Sequence, residues 1–211
     1  MKTIVIASGK GGSGKTTLTA HLAVAAGTAW IIDTDKQATL AQWHQRRQAD
    51  LPERLEVAFS QLGKGLDTLA AKGAPYCFVD TAPAITEQTA AVLSLADLVM
   101  VPVRPSPADL WAIGGTMELV HRAGKPFLFV LSQAKTQANI TAQAVAALSE
   151  HGRVARSFIT DRVAYASAMT SGNTAPELWP KGPATSEIDA LWAELKSCFA
   201  ENMKTRELAY G

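Results

Sequence analysis

The chain has 211 residues, of which 47% are hydrophobic and 18% are charged, and its formal net charge is +1 at pH 7. This balance is that of an ordinary globular protein with a large core, and the charge excludes a strongly basic nucleic-acid binder, so any DNA contact would need a local basic face. Two cysteines are too few for a disulfide scaffold, and the N-terminal apolar stretch is too short for a signal peptide or a membrane span. We therefore expect a cytoplasmic protein.

Short apolar runs alternate with segments of helical periodicity along the chain. In chain order, the predicted strands are Thr3–Ala7, Ala29–Asp33, Leu55–Phe59, Tyr76–Asp80, Leu98–Val103, Phe127–Ser132 and Val154–Phe158, with the third and the last the weakest. Helices are predicted over Lys15–Ala26 and Ala108–His121 and around the periodic residues of 188–199. Because the strand runs are continuous, both sheet faces should be covered. The sequence thus predicts one α/β domain over residues 1–211, a mainly parallel twisted sheet with helices on both faces.

The segment Gly9–Thr16 fits the pattern G-x-x-x-x-G-K-[ST] directly after the first strand and at the start of a helix. Its glycines let backbone amides approach phosphate oxygens, and the helix N-terminus adds partial positive charge. We expect Lys15 to bridge the β- and γ-phosphates and the Thr16 hydroxyl to bind Mg²⁺. The pattern predicts a P-loop ATPase with ATP and Mg²⁺ as cofactors.

Acidic residues end two of the predicted strands. Asp80 ends Tyr76–Asp80, where a carboxylate faces the ligand crevice and can hold Mg²⁺ directly or through water. Asp33 and Asp35, at i and i+2 in extended chain, should point to the same side. One of the pair can organise metal-bound water and the other the attacking water.

A second lysine near the start of the loop, Lys10, makes residues 10–17 resemble the deviant Walker A motif of the ParA/MinD superfamily. Segments 33–37, 80–83 and 102–112, the last reading Pro-Val-Arg-Pro-Ser-Pro-Ala-Asp-Leu-Trp-Ala, resemble the ParA branch. The resemblance spans essentially the whole chain. The sequence begins at the first strand, which is typical of small ParA-type (ParF-like) plasmid-partition ATPases.

The resemblance implies a role for each matching residue. Lys15 binds phosphate, and Lys10 reaches the nucleotide of the opposite subunit in a dimer. Asp35 positions the attacking water, whereas Asp33 and Asp80 join Thr16 in the magnesium shell. The remaining nucleotide contacts fall on Gly11, Gly12, Ser13, Gly14, Thr17 and, for the adenine, Gln133.

The function implied is an ATP-dependent dimerising ATPase switch in plasmid or chromosome partition, with weak Mg²⁺-dependent hydrolysis. A centromere-binding or other activating protein would stimulate it, and the dimer would bind DNA non-specifically and no membrane. The family usually has proline where this chain has Lys36; we expect this lysine to loosen the loop and to affect hydrolysis more than binding. Candidate DNA contacts are Arg46, Arg47, Arg122, Lys125, Arg153, Arg156 and Arg162.

Three other functions share this fold class. A membrane-positioning ATPase of the MinD type would need a C-terminal amphipathic anchor, and residues 204–211 have too little apolar surface for one, whereas a MinD-like ATPase that positions a non-DNA cargo stays an alternative. An ATP-dependent metabolic ligase would need a second substrate pocket, for which no polar constellation stands out in the sequence. An iron–sulfur reductase needs cluster cysteines; Cys77 lies in a strand and Cys198 in the last helix, so this class is excluded.

Overall fold

In the part of the chain that the structure describes, the centre is a sheet of six strands that pair in parallel throughout. The computed structural model describes residues 1–135 and 139–210, and side chains as far as residue 200. The strands are β1 (Lys2–Ile6), β2 (Ala29–Asp33), β3 (Glu53–Arg54), β4 (Tyr76–Asp80), β5 (Leu98–Val103) and β6 (Phe127–Leu131). Their order across the sheet is β3-β2-β4-β1-β5-β6, so β1 and β4 lie at the centre. The predicted α/β fold with a parallel sheet is confirmed.

Helices cover both faces of this sheet. They are α1 (Lys15–Ala25), α2 (Thr39–Gln45), α3 (Leu62–Ala71), α4 (Glu87–Ser94), α5 (Pro107–Trp111), α6 (Ile113–Ala123), α7 (Asn139–Ser149), α8 (Val163–Thr170), α9 (Ala175–Leu178) and α10 (Pro183–Tyr210). Alternate residues of each strand enter different cores: Ile4 and Ile6 pack with α1 and α10, whereas Val5 packs with α3, α4 and α6. This two-sided burial explains why the strands are apolar without alternation.

Two weakly predicted strands are not formed as predicted. Residues 55–59 lie beyond β3, which has only two residues, and Leu55 instead packs against α3 at Gly65. The 154–158 segment makes an isolated bridge from Val154 to Phe129. It does not continue as a strand because the N–H groups of Arg156 and Ser157 donate to the carboxylate of Glu194 in α10.

The predicted helix Ala108–His121 is divided into α5 and α6. Ala112, between them, has φ −84° and ψ −2°. Gly114 and Gly115 follow it in the first turn of α6, where their low helix propensity does not favour continuous helix across the break. The break sets α5 apart as a short element that follows β5 at the functional edge of the sheet.

Candidate nucleotide-binding site

The loop between β1 and α1 has the backbone of an anion site. Gly12 and Gly14 have φ values of +74° and +89°, in the left-handed region that glycine adopts without strain. No side chain caps the start of α1. The N–H groups of the first turn of α1 therefore remain available to a bound phosphate.

Three side chains from neighbouring segments fix the loop. The Gly9 N–H donates to Thr116 Oγ1 at 3.0 Å. From the end of β6, Ser132 Oγ donates to the Ser13 carbonyl at 2.7 Å, and Gln133 Nε2 donates to the Gly12 carbonyl at 2.7 Å. Gln133 thus contacts the loop itself, and its expected adenine contact stays a prediction. Thr116 and Ser132 belong to no recognised motif, and only the position of Ser132 at a strand end could have indicated it.

The two lysines of the loop have opposite environments. We call residues 10–12 the loop apex and residues 13–16 the loop base. Lys15, in the base, is 7% exposed, and its Nζ donates to the Lys10 carbonyl at 3.3 Å. Burial lowers the pKa of Lys15, and the nearby carboxylates Asp80 and Asp35 oppose that shift. Lys10 and the two apex glycines are exposed. The positive charge of the apex, on Lys10, is therefore at the surface, whereas that of the base, on Lys15, is buried.

Asp80 lies against the loop base and has one unused oxygen. The carboxylate is 1% exposed, and its Oδ2 accepts a hydrogen bond from Thr16 Oγ1 at 2.6 Å. Its Oδ1 is buried and has no hydrogen-bond partner among the described residues. Burial raises the pKa of Asp80 to about 7, against the Thr16 hydrogen bond and the charge of Lys15. An unpaired buried carboxylate oxygen beside a threonine hydroxyl fits Mg²⁺, which prefers oxygen ligands and would favour the ionised carboxylate.

Asp33 stands beside Asp80 in the sheet register but is engaged differently. Its Oδ1 accepts from the Asp35 N–H and its Oδ2 from the Ala41 N–H, both at 3.0 Å. Both oxygens therefore serve the backbone of the following turn and of α2. The expected contribution of Asp33 to the magnesium shell stays a prediction.

The loop that carries Asp35 is tied down by hydrogen bonds. The Thr34 N–H and hydroxyl both donate to the Asp80 carbonyl, at 3.0 and 2.7 Å. Asp35 Oδ1 accepts from the Gln37 N–H at 2.9 Å. These bonds hold the backbone on both sides of Lys36, and the expectation that this lysine loosens the loop stays a prediction. The role of Asp35 with the attacking water remains a prediction.

Two of the cavities in the described part of the chain lie beside predicted site residues. One of about 170 Å³ lies beside Gly14 and Thr17 and is lined further by Gln133 and Tyr165; its position next to the phosphate loop suits a nucleobase. The other, of about 420 Å³, lies between Asp35 and the segment that follows β4. Sequence reasoning missed the second cavity because its walls come from loops that only the fold brings together.

Comparison with known proteins agrees with this geometry. Residues 4–175 match the model of the CobQ/CobB/MinD/ParA nucleotide binding domain. The chain belongs to this family. A curated relative, "Maintenance of carboxysome distribution protein A" from Halothiobacillus neapolitanus (strain ATCC 23641 / c2), is 27% identical over 206 residues, covering 92% of this chain and 95% of the relative.

Solved structures share the fold of this family member. McdA from Cyanothece in an ATP complex superposes with a TM-score of 0.72 at 21% identity, covering 95% of this chain and 96% of that one. MinD from Pyrococcus horikoshii OT3, complexed with Mg-ADP, has a TM-score of 0.76 at 18% identity and covers 92% and 95%. The chain is an ATPase of the ParA/MinD type, and its cofactors are ATP and Mg²⁺. Within residues 1–135 and 139–210, no helix is long and apolar enough to cross a membrane.

Proposed function

We propose that the protein is an ATP-dependent dimerising switch that positions a large cargo in the cell. The observation that carries the proposal is the exposed Lys10 at the loop apex. Lys15, Mg²⁺ and the N-terminus of α1 already supply positive charge to a nucleotide bound in the same chain. An additional lysine on the surface can contact the nucleotide of a second chain when the two chains form a dimer. Hydrolysis then depends on dimerisation.

The kind of cargo follows from likeness to a relative that matches almost the full length of this chain. That relative is named for carboxysome distribution, so a large protein-built particle is the cargo that we favour. Partition of a plasmid or chromosome, expected from the Pro-Ser-Pro segment, is the second candidate. In either case we propose that an activating protein stimulates hydrolysis and resets the dimer.

The basic residues bear on DNA binding, which we propose for the ATP-bound dimer. The side chain of Arg47 is 2% exposed and donates to Glu177 and to the carbonyl of Gly172, so it links α2 to the α8–α9 region and is withdrawn from any DNA face. Arg122 and Arg162 are paired with glutamates. Exposed Arg46 and Arg156 remain as candidates.

A DNA-binding assay with ATP, ADP and no nucleotide, run in parallel with light scattering, tests the proposed switch. We expect dimers with ATP alone, and DNA affinity that falls steeply with salt and shows little sequence preference. Arg46→Ala together with Arg156→Ala should weaken DNA binding. Arg47 is buried and its loss would disturb folding, so Arg47→Ala is not a suitable control. DNA binding that is equal with ADP, or absent at low salt, would remove DNA from the proposal and leave positioning of a cargo by direct contact.

The cavity of about 420 Å³ beside Asp35 keeps an ATP-dependent ligase as an alternative, because it is large enough for a small second substrate. A ligase hydrolyses or transfers phosphate only when that substrate is present. A switch hydrolyses ATP slowly by itself and faster when the dimer is stimulated. An ATP hydrolysis rate per chain that rises with the concentration of the purified protein would favour the switch. The absence of hydrolysis at every protein concentration would favour the ligase.

A further inference from the structure

A second positively charged side chain lies beside the loop apex. Arg104 stands in the turn between β5 and α5, and a Cβ atom placed on Gly12 would lie 3.6 Å from its Nη1. Gly12 is exposed, whereas the Lys15 ammonium is buried in the base. The guanidinium therefore lies beside the exposed loop apex, to which Lys10 also belongs.

Asp109 holds this guanidinium in place. Arg104 Nε and Nη2 donate to the two carboxylate oxygens of Asp109, the second at 2.9 Å. The side chain of Asp109 is 3% exposed and that of Arg104 is 32% exposed. Ser106 caps the start of α5 by accepting from the Asp109 N–H at 3.2 Å. A bidentate pair with a buried carboxylate fixes the plane and direction of an arginine as a lysine could not.

The third guanidinium nitrogen of Arg104, Nη1, takes no part in the pairing with Asp109. Nη1 carries two N–H donors, and it makes no hydrogen bond to any residue whose side chain or backbone the structure describes. The turn before α5 is held by the Asp109 contacts and by the Ser106 N–H bond to the Arg104 carbonyl, none of which uses Nη1. The remaining donors lie beside Gly12, in a loop that is built to hold phosphate, and phosphate is an anion that planar guanidinium groups bind well.

We propose that Arg104 contacts the terminal phosphate of ATP at the loop apex, next to Lys10, and that Asp109 is its positioning residue. The contact goes beyond the roles assigned to Lys10 and Lys15. The phosphate belongs either to ATP in the same chain or, resting on the proposed dimer, to ATP in the partner subunit. A cation at this place favours ATP over ADP, because ADP lacks the group that it contacts.

The test is the double variant Arg104→Gln with Asp109→Asn, which replaces the ion pair by an amide pair and leaves no unpaired buried charge. Arg122→Gln with Glu87→Gln, which removes an exposed ion pair and likewise leaves the net charge unchanged, is the charge-matched control. Circular dichroism establishes that each variant is folded. Affinities for ATP and ADP are measured by calorimetry on dilute protein, and dimerisation and turnover are measured on concentrated protein.

Contact in the same chain predicts that the double variant loses about tenfold or more in ATP affinity while ADP affinity is kept. Contact across subunits predicts unchanged affinities and a loss of about tenfold or more in ATP-dependent dimerisation and turnover. The proposal is overturned if every quantity lies within about twofold of the control that carries Arg122→Gln and Glu87→Gln, or if ATP and ADP affinities fall together, which marks a distorted loop. If the wild-type protein does not dimerise with ATP, the proposed switch is wrong. The ATP and ADP affinities measured on dilute protein then remain as the test of Arg104.

Discussion

The apex and the base of one phosphate-binding loop differ in almost every physical respect. Lys15 in the base is buried, lies near Asp80 and Asp35, and donates to the carbonyl of the apex residue Lys10. Lys10 has the same side chain five residues earlier but is exposed. The difference teaches that two lysines of one motif need not share a role. The base can bind a nucleotide in its own chain, and the exposed apex is accessible to a second chain.

The largest expected effect comes from removing the base lysine. Lys15→Ala should lower the ATP affinity of the monomer by about 100-fold or more, because the charge-assisted contact with the phosphates is lost. Lys10→Ala is the matched variant and should change monomer affinity by less than about threefold. Calorimetry with ATP on dilute protein measures both. Equal losses in the two variants would contradict the separation of base from apex.

The next effect concerns the metal side of the base. Asp80→Asn should lower Mg²⁺-dependent ATP affinity by about tenfold or more, because the free buried oxygen and its charge are replaced by an amide. Asp33→Asn, its neighbour in the sheet, should have a smaller effect on Mg²⁺ dependence and should lower stability instead, since its oxygens hold two backbone N–H groups. Titration of Mg²⁺ at fixed ATP compares the two. A larger magnesium effect for Asp33→Asn would reverse the assignment.

Asp80 also gives a pH dependence with a definite sign. Its pKa is raised to about 7 in the folded protein, whereas an unfolded aspartate has a pKa near 4. The folded state therefore binds the proton more tightly, and this group lowers stability as pH rises from about 4 to about 7. The nucleotide-free Asp80→Asn variant should unfold at a higher temperature than wild type at pH 8. Wild type that is as stable as the variant at pH 8 would contradict the burial of an unpaired carboxylate.

Below the loop, His21 in α1 contributes a smaller dependence of the opposite sign. Its ring is buried, with Nδ1 against the Thr17 carbonyl at 2.8 Å and Nε2 accepting the Ala175 N–H at 3.0 Å. Burial lowers its pKa to about 4. Its contribution to stability is thus complete above pH 6.5 and is lost as pH falls towards 4.

Thermal unfolding between pH 7 and pH 4, with Asp80→Asn as background, isolates His21 from the titration of Asp80. His21→Gln in that background should flatten the loss of stability towards acid pH. An unchanged slope would show that His21 does not titrate on unfolding in this range.

The smallest expected effect lies in the loop beside Asp35. Ala38 has φ +51°, where a Cβ atom is unfavourable. Ala38→Gly should raise the free energy of unfolding by about 0.5–1 kcal/mol, after the entropy cost of glycine in the unfolded chain. Ala112→Gly, at φ −84°, is the control and should not stabilise. Chemical denaturation measures both, and a destabilised Ala38→Gly would contradict the left-handed backbone of this loop.

The sequence predicted those parts of the site that depend on local pattern and on parallel strands. The loop lies between β1 and α1 as its glycines and lysine indicated, and Asp80 meets Thr16 because neighbouring parallel strands end at the same edge. Residues far apart in sequence could not be foreseen in this way. The Asp33 contact with α2 and the Arg47 contact with Glu177 depend on how helices pack after the sheet forms.

Helix boundaries and edge strands were predicted least well, also for physical reasons. The helical periodicity of residues 108–121 persists across Ala112, so the pattern gave no sign of the break between α5 and α6. The extended segment near residue 156 has strand-like residues, but a glutamate from α10 takes the N–H groups that a longer strand would use. The low helix propensity of Gly114 and Gly115 accompanies the first departure, and a competing tertiary contact decided the second.

The most direct test of the switch is sedimentation velocity of wild type, Lys10→Ala and Asp35→Ala with Mg²⁺ and ATP. Wild type should move from monomer towards dimer when ATP replaces ADP, because cross-subunit contacts form only with the bound triphosphate. Lys10→Ala should bind ATP and remain monomeric, and Asp35→Ala should form a dimer that persists because the attacking water is misplaced. Dimerisation of Lys10→Ala equal to that of wild type would contradict the account.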